Sequence, residues 1–397
     1  MQTVDRSLFP HIKSALSDNR VIVITGMRRV GKTTTLRWLL DQVPSDNKLY
    51  MDLERLDTRA VFEEQNYELI LNYFRNIGLD TSKPLTIALD EIQYVPNLPS
   101  VVKYLVDQHG IKFLLTGSSS FYMKNYFSES LSGRKVVYEM FPLGFGEFLD
   151  FKQIPYRRRS SWEEMRFDSL EYERLKNYYN EYIEFGGLPS IVLEPRVEVK
   201  REILQDIFSS YINIDVQAMA DFRKISELQL LLKALAIRIG NKIDITKLSQ
   251  IVGISRPTLL SYLEFLEKTY VIYQLPSFAG VDRSIALGKK LYFLDNGIAS
   301  ILGNPGEGAL FENAVFNQLR SYGALAYLSR GNQYEIDFVL SSADGASIGM
   351  EAKYHPVDSD DQKLKRIAEK NQITQSWLIG RSSTPNFENF IWGGLIF

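Results

Sequence analysis

Short apolar runs recur over the first 140 residues, and longer amphipathic stretches separate them. Five runs have this character: Val21–Ile24, Leu49–Leu53, Leu85–Asp90, Ile111–Thr116 and Val136–Met140. Runs that are largely apolar predict strands buried on both faces, as in a parallel sheet with helical crossovers. The pattern therefore predicts an α/β fold, with residues 1–140 as its first domain.

The periodicity becomes helical after residue 140. Residues 141–225 are rich in Phe, Tyr, Arg and Glu and predict a helical segment. Over residues 226–280, three helices precede a strand-like run, an order typical of a winged helix-turn-helix. Residues 281–397 contain alternating strand patterns joined by a hairpin turn, which predict a further domain.

The stretch from Gly26 to Thr33 matches the pattern G-x-x-x-x-G-K-[ST] at every fixed position. A predicted strand precedes it and a predicted helix follows it, which argues against a chance match in a loop. Glycines let the backbone N–H groups turn toward phosphates, and the helix N-terminus adds positive charge. We expect Lys32 to contact the phosphates of ATP and Thr33 to coordinate Mg²⁺. The predicted nucleotide-binding set is Gly26, Gly31, Lys32, Thr33 and Thr34.

Two carboxylates, Asp90 and Glu91, follow the third apolar run. A strand that simply enters a polar loop would give the same pattern. After a complete phosphate-binding loop, a nucleotide site is the better interpretation. Asp90 would then hold Mg²⁺ through water, and Glu91 would orient and deprotonate the attacking water.

Ser118, Arg134 and Pro189 are further candidates at the nucleotide site. Ser118 lies where a sensor of the γ-phosphate is expected, although a Gly-Ser-rich turn is also ordinary loop chemistry. Arg134 is either an arginine finger on the transferring phosphate or a surface arginine at a strand start. The Gly-Gly-x-Pro turn that ends at Pro189 is either only a turn or a contact to the nucleotide base.

The predicted winged helix carries the best local basic patch of a chain whose net charge is −2. Arg256 begins its third helix, and Lys289 and Lys290 follow the predicted wing. These side chains predict contacts with the phosphates of DNA. A packing role or a protein contact is an equal alternative, because the motif alone does not establish groove recognition.

A second group of carboxylates lies on the predicted hairpin of the last domain. Asp337 lies on its first strand, and Glu351 and Lys353 share one face of its second strand. Converging carboxylates and a lysine would bind Mg²⁺ and activate water for phosphodiester cleavage. The alternative is a solvated strand face with an incidental salt bridge. The apolar neighbours of Asp337 and Lys353 argue against this alternative, because charges among apolar residues are costly without partners.

Composition narrows the class of protein. A chain of 397 residues accommodates two to three domains. The absence of cysteine excludes disulfides and cysteine–zinc sites, and only three histidines are present. No apolar stretch approaches the ~20 residues of a membrane span, and no secretory signal is visible. We therefore expect a cytoplasmic protein without membrane contact.

Nine segments, in order along nearly the whole chain, carry a family resemblance: GMRRVGKTT, IALDEIQ, LLTGSSS, SLSGRKVVYEMFPLGFGEFL, FGGLPS, KLYFLDNGI, ALFENAVFNQL, EIDFVL and GMEAKY. They resemble prokaryotic AAA+-type ATPases with a C-terminal domain of unknown function. The resemblance implies an ASCE-type P-loop core, a helical lid over residues 141–225, a winged helix, and a C-terminal domain similar to PD-(D/E)xK nucleases, with a restriction-endonuclease-like fold.

The resemblance also implies roles for individual residues. The Walker A residues fall on the loop that ends in Lys32 and Thr33, and the Walker B pair falls on Asp90 and Glu91. The nuclease-like set falls on Glu312, Asp337, Glu351 and Lys353. Enzymes of this type usually form homo-oligomers in which an arginine from a neighbour completes each site, which is the role considered above for Arg134.

Three functions from different classes follow. The favoured one is an ATPase that binds or remodels DNA, including branched DNA, because the C-terminal domain resembles junction resolvases. The second is an ATP-controlled, Mg²⁺-dependent nuclease. The third is a nucleotide-dependent switch that docks a protein partner through the winged helix.

Overall fold

The computed structural model describes residues 4–117, 131–216, 225–279, 287–331, 333–341, 345–382 and 387–397. Its contacts divide the chain into two compact units. The first unit comprises the residues up to Phe141 together with Lys268–Tyr270. The second unit comprises Pro142–Glu267 and Val271–Phe397.

One sheet of five parallel strands forms the centre of the first unit. The strands are β1 (Val21–Gly26), β2 (Lys48–Asp52), β3 (Thr86–Asp90), β4 (Lys112–Gly117) and β5 (Lys135–Met140). Their order across the sheet is β2-β3-β4-β1-β5. All residues of β1 and β3 are buried, as expected where helices cover both faces. The predicted parallel α/β sheet is therefore confirmed.

Helices connect these strands, and the resulting order places β4 between β1 and β3. The helices are α1 (Phe9–Ser14), α2 (Lys32–Asp41), α3 (Leu56–Phe62), α4 (Tyr67–Asn76) and α5 (Leu98–His109). Because the strands are parallel, the carboxyl ends of β1, β4 and β3 lie side by side at one edge of the sheet.

The second unit begins with helices. They are α6 (Phe145–Phe151), α7 (Ser169–Phe185), α8 (Pro189–Leu193) and α9 (Val197–Ser210), and a π-helical stretch (Tyr211–Val216) follows. The Asp168 side chain caps α7 by accepting the N–H groups of Leu170 and Glu171. No helix in the described ranges is both long enough and apolar enough to cross a membrane.

Three helices and a hairpin follow, in the order predicted for a winged helix. They are α10 (Ile225–Ala236), α11 (Ile245–Val252), α12 (Arg256–Lys268) and the antiparallel strands β6 (Ile272–Leu275) and β7 (Lys290–Phe293). The N–H of Ile243 donates to the carbonyl of Lys289 at 3.0 Å, which adds an extended segment beside β7. The hairpin crosses the predicted domain boundary at residue 280.

A mixed sheet forms the last part of the second unit. Its elements are α13 (Asn296–Gly303), α14 (Glu307–Leu319), β8 (Ala324–Ser329), β9 (Glu335–Ser341), β10 (Ser347–Lys353), α15 (Asp358–Lys370), β11 (Gln375–Gly380) and β12 (Phe390–Trp392). The order is β12-β11-β10-β9-β8. Strands β8, β9 and β10 are antiparallel, whereas β10, β11 and β12 are parallel. The prediction of an additional α/β domain here is confirmed.

A buried carboxylate holds the turn at Gly186 and Gly187. Asp295, which caps α13, accepts the N–H of Gly187 at 2.9 Å and the N–H of Ile298 at 3.0 Å. A Cβ at Gly186 would lie 2.4 Å from Asp295 Oδ2, and one at Gly187 would lie 2.2 Å from the carbonyl oxygen of Leu143. Only glycine fits at these two positions, because Asp295 and Leu143 approach their backbones too closely for a Cβ.

We expect ionisation of Asp295 to lower the stability of the fold as the pH rises from about 4 to about 6. Burial raises the pKa of Asp295 to about 6, and backbone N–H groups offset only part of this. The folded chain therefore keeps this proton to a higher pH than the unfolded chain, whose Asp titrates near 3.9. The bound proton of Asp295 contributes fully to the free energy of unfolding below about pH 4. This contribution is lost as the pH rises through the folded pKa, and the total loss is about 3 kcal/mol.

Urea unfolding at several pH values checks this prediction, with Asp295→Asn as the comparison. The amide cannot ionise, although it still accepts an N–H, so its unfolding free energy should lack the fall between these pH values. Asp358→Asn, an exposed change in the same unit, should keep the wild-type profile. Parallel profiles for wild type and Asp295→Asn would contradict the prediction.

Candidate functional site

The loop between β1 and α2 depends on a close contact at its start. Gly26, the last residue of β1, has φ 152°, and a Cβ there would lie 2.0 Å from the carbonyl oxygen of Met140 on β5. Gly31, which precedes α2, has φ 98°. Both positions have backbone conformations that favour glycine, so the sequence pattern has a geometric cause in this structure.

The ammonium of Lys32 lies inside the curve of this loop. Its side chain is buried, and Nζ donates to the carbonyls of Gly26 at 3.1 Å and Met27 at 3.0 Å. Thr33 is partly buried, whereas Thr34 is exposed. The first turn of α2 also presents N–H groups that have no partner within the helix. The loop thus combines a cation, a hydroxyl and a helix N-terminus.

Hydroxyl groups from two neighbouring strands hold the carboxylate of Asp90. Asp90 ends β3 and is 2% exposed. Thr116, near the end of β4, donates to Oδ1, and the Tyr50 hydroxyl of β2 donates to Oδ2 at 3.0 Å. The N–H of Glu91 reaches Thr116 Oγ1 at 3.3 Å. Thr116 therefore contacts both residues of the predicted Walker B pair.

Glu91 has the electrostatic surroundings of a proton acceptor. Burial raises the pKa of Glu91, and the positive charge of Lys32 opposes that rise. Glu91 also has the left-handed φ of 53°, which is uncommon outside glycine. A carboxylate whose pKa is shifted toward neutrality is better suited to take a proton from water than an ordinary surface carboxylate.

These groups fit a nucleoside triphosphate with Mg²⁺. Lys32 supplies a point charge, Thr33 a hydroxyl and Asp90 a carboxylate, which are the groups that bind phosphates and this hard cation. The Mg²⁺ would neutralise phosphate charge when bound. Glu91 follows Asp90 directly and lies close enough to Lys32 for their charges to interact.

Sequence reasoning missed Thr116 and Tyr50. It assigned the sensor role to Ser118, which lies outside the described residues. The position of Thr116 at the end of a predicted strand could have indicated a role at the site. Its contact with Asp90, however, depends on the order of the strands in the sheet. Tyr50 has a further partner, since the guanidinium of Arg37 lies 4.5 Å from its ring centroid. Burial raises the pKa of Tyr50 to about 12.

Arg134 and Pro189 lie in different units. Arg134 precedes β5 in the first unit, is exposed, and donates from Nε to Asp107 Oδ1 at 2.8 Å. Its role as an arginine finger stays a prediction. Pro189 begins α8 in the second unit, after the turn that Asp295 holds. Its contact with a nucleotide base also stays a prediction.

The second unit brings the predicted nuclease-like residues together. The N–H of Asp337 on β9 donates to Glu351 Oε2 at 3.2 Å, and Lys353 Nζ lies 2.8 Å from Glu351 Oε1. The N–H of Ala352 donates to Asp337 Oδ2 at 3.2 Å. Across the described part of the chain, however, no group of three or more His, Asp or Glu side chains is arranged to hold a metal ion.

Lys290 does not belong to an exposed basic patch, and that prediction is wrong. Its side chain is 2% exposed, and its Nζ lies 2.8 Å from Glu335 Oε1, 3.0 Å from Asp337 Oδ1 and 3.8 Å from Glu312 Oε1. The physical reason is that β7 directs Lys290 into the carboxylate group instead of toward solvent. Arg256 and Lys289 are exposed as expected.

Opposite charges outweigh burial in setting the pKa values of Lys290 and Asp337. Burial would lower the pKa of Lys290, but the surrounding carboxylates, Asp337 foremost, outweigh it and raise that pKa. Burial would raise the pKa of Asp337, but Lys290 outweighs it and lowers that pKa. Burial raises the pKa of Glu312 and of Glu351, and the charge of Asp337 adds to both shifts.

Comparison with known proteins assigns residues 18–149 to the AAA domain family. Residues 176–307 match a domain of unknown function, DUF8612, and residues 307–389 match another, DUF4143. The AAA+-type part of the resemblance is therefore confirmed, and residues 18–149 form an AAA domain. The matches beyond residue 149 name no nuclease.

Relatives extend the similarity over most of the chain. The uncharacterized protein MJ1544 of Methanocaldococcus jannaschii is 32% identical over 342 residues, which cover 83% of this chain and 74% of that protein. An uncharacterized protein of Haemophilus influenzae is 28% identical over 338 residues, with coverage of 81% and 80%. The solved Walker-type ATPase PABY2304 of Pyrococcus abyssi is 16% identical, with coverage of 76% and 96% and a TM-score of 0.46.

We expect Gly26→Ala to destabilise the first unit by about 3 kcal/mol or more, because overpacking and backbone strain add. The new Cβ would overlap the Met140 carbonyl of the neighbouring strand. Gly78→Ala is the matched control, since Gly78 has φ 93° but open space around it. It should lose only about 1–2 kcal/mol. Denaturant unfolding measures both, and equal losses would show that the close approach is not what Gly26 provides.

Proposed function

The chain belongs to the same family as MJ1544, and we propose that it binds and hydrolyses ATP with Mg²⁺ and acts on DNA. The observation that carries the ATPase proposal is the arrangement around Asp90. There, Lys32, Thr33 and Glu91 supply the phosphate, metal and water-activating groups that phosphoryl transfer needs. The AAA domain match over residues 18–149 supports the same chemistry.

The DNA part of the proposal rests on exposed charge. Arg256 begins α12, and Lys289 lies just before β7, where the three helices and hairpin have the order of a winged helix. Both side chains are exposed in a chain whose net charge is −2. Binding would therefore depend on local phosphate contacts, would be largely independent of base sequence, and would extend to branched DNA.

A specific observation favours protein docking as a second candidate. Leu260 on α12 is 53% exposed, and Ile251 on α11 is 42% exposed. Exposed apolar side chains on these helices suit a protein partner better than a phosphate backbone. Under this candidate, ATP controls docking, and DNA neither binds nor changes the ATPase rate.

We do not extend the proposal to DNA cleavage. Asp337, Glu351 and Lys353 converge as an ATP-controlled nuclease would need, and this favours that alternative. The buried Lys290 ammonium opposes it, because it already lies against Asp337 at 3.0 Å.

We expect Lys32→Ala to abolish ATP binding or hydrolysis, because Lys32 is the cation that is buried inside the curve of the loop. Glu91→Gln should bind ATP but hydrolyse it at least about 10²-fold more slowly, since an amide cannot accept the proton of water. Equilibrium dialysis measures binding, and phosphate release measures turnover. Lys103→Ala, an exposed change in the same unit, should behave as wild type. A wild-type rate for Glu91→Gln would refute the assignment of the base.

We also propose that the chain forms homo-oligomers in which Arg134 completes the site of a neighbour, as the family resemblance implies. Arg134→Ala should bind ATP normally but lose turnover about 10³-fold or more, as expected for an arginine finger. Mixing Arg134→Ala with Lys32→Ala subunits should restore part of the activity if the finger acts on a neighbour. Sedimentation should show ATP-favoured oligomers. No rescue, with mixed oligomers shown to form, would count against a finger that acts on a neighbour.

DNA should raise the rate of ATP hydrolysis, and four-way junctions, duplexes and single strands should be compared. The stimulation should fall steeply between about 50 and 200 mM salt, because phosphate contacts release counterions. Arg256→Glu with Lys289→Glu should remove it and leave the basal rate unchanged. Lys103→Glu is the control for a change of charge elsewhere. A rate that no DNA changes, together with a stable protein partner, would favour the docking candidate instead.

A further inference from the structure

We propose that the carboxylate cluster of the second unit is a cation site already filled by the protein's own lysine, Lys290. The cluster is defined by Lys290, Glu312, Glu335 and Asp337. The resemblance to PD-(D/E)xK nucleases implies a divalent metal at Asp337 and Glu351, and the residues present do not fit that metal. This inference is independent of whether the first unit hydrolyses ATP.

The Lys290 ammonium lies where three elements meet. Glu335 and Asp337 approach it from β9 at 2.8 and 3.0 Å, and Glu312 approaches it from α14 at 3.8 Å. An ammonium has three N–H donors and no acceptor, so it suits a ring of carboxylates. The Tyr327 ring centroid lies 5.7 Å from the same Nζ, which gives the charge a further favourable neighbour.

The oxygens that a metal would need already accept hydrogen bonds. Asp337 Oδ1 accepts from Lys290, and its Oδ2 accepts from the N–H of Ala352. Glu351 Oε1 pairs with Lys353, and its Oε2 accepts from the N–H of Asp337. A Mg²⁺ ion would have to approach Asp337 to about 2.0–2.1 Å. There it would meet the buried ammonium, whose repulsion is strong where water is excluded.

The strand that carries Lys290 fixes the position of its side chain. Lys290 pairs with Leu275 of β6 in the hairpin, and an isolated bridge joins it to Lys242 on the other side. The carbonyl of the preceding Lys289 accepts the N–H of Ile243 at 3.0 Å. The backbone is therefore held from both sides. The burial of the side chain and its ion pairs with Glu335 and Asp337 then keep the ammonium in the cluster.

The cluster thus joins the hairpin of the predicted winged helix to the C-terminal sheet within the second unit. Removing the ammonium alone would leave the largely buried carboxylates of Glu312 and Asp337 without the cation that balances them, which is strongly unfavourable. A divalent cation could then enter the vacated position. This predicts that the loss of Lys290 creates a metal site that the wild-type chain does not have.

Mn²⁺ binding to the nucleotide-free full-length chain tests the proposal, with the electron paramagnetic resonance signal of free Mn²⁺ as the readout. Wild type and Asp337→Asn should bind the same amount, because no Mn²⁺ depends on Asp337. Lys290→Met should bind one additional Mn²⁺ per chain, and Lys290→Met with Asp337→Asn should lose it. Lys289→Met, a change of the exposed neighbour, should match wild type.

Thermal unfolding supplies a second readout. Lys290→Met should lower the Tm, Mn²⁺ should restore part of that loss, and wild type should not respond to Mn²⁺ through Asp337. Mn²⁺ that wild type binds and Asp337→Asn loses would overturn the proposal. So would a folded Lys290→Met chain that acquires no Mn²⁺. If Lys290→Met does not fold, the comparison of wild type with Asp337→Asn decides the question alone.

Discussion

The carboxylate of Asp90 is almost fully removed from solvent at the end of β3, and the arrangement around it follows from that burial. A buried charge is tolerated where polar groups replace the lost water. Tyr50 and Thr116 donate to its two oxygens, which requires β3 to lie between β2 and β4. Because β1 is the next strand, the same order brings the loop with Lys32 to the same edge. Strand order therefore assembles the candidate nucleotide site.

The second unit also contains a buried carboxylate that needs a polar partner, but the partner there is of another kind. Asp337 is also buried at a strand, but its charge is balanced by the fixed ammonium of Lys290 and not mainly by neutral hydroxyls. The difference matters chemically. Two hydroxyl groups hold the Asp90 carboxylate, whereas at Asp337 an ammonium occupies the position that a metal would take. Two sites with carboxylates of similar burial thus differ in what they can bind, and the difference comes from the partner.

The partners of Asp90 and Asp337 could not be predicted from the sequence. The spacing of Gly26, Gly31 and Lys32 and the apolar pattern on either side of it are local, so the sequence predicts the loop with its flanking strand and helix. Thr116 meets Asp90 only because β4 is inserted between β1 and β3, and no local pattern states that order. The sequence predicts Lys289 and Lys290 together as part of one exposed basic patch. The hairpin register exposes Lys289 and directs Lys290 inward.

The turn before Pro189 shows how packing can account for a motif that also invites a ligand. Gly186 approaches the carboxylate of Asp295, and Gly187 approaches the backbone of Leu143, so neither position has room for a side chain. Pro189 begins α8, where its missing N–H removes a group that would have no helical partner in any case. Contacts inside the second unit therefore explain both glycines of the turn, and the start of α8 explains the proline. The packing of the second unit thus accounts for this motif without a nucleotide base.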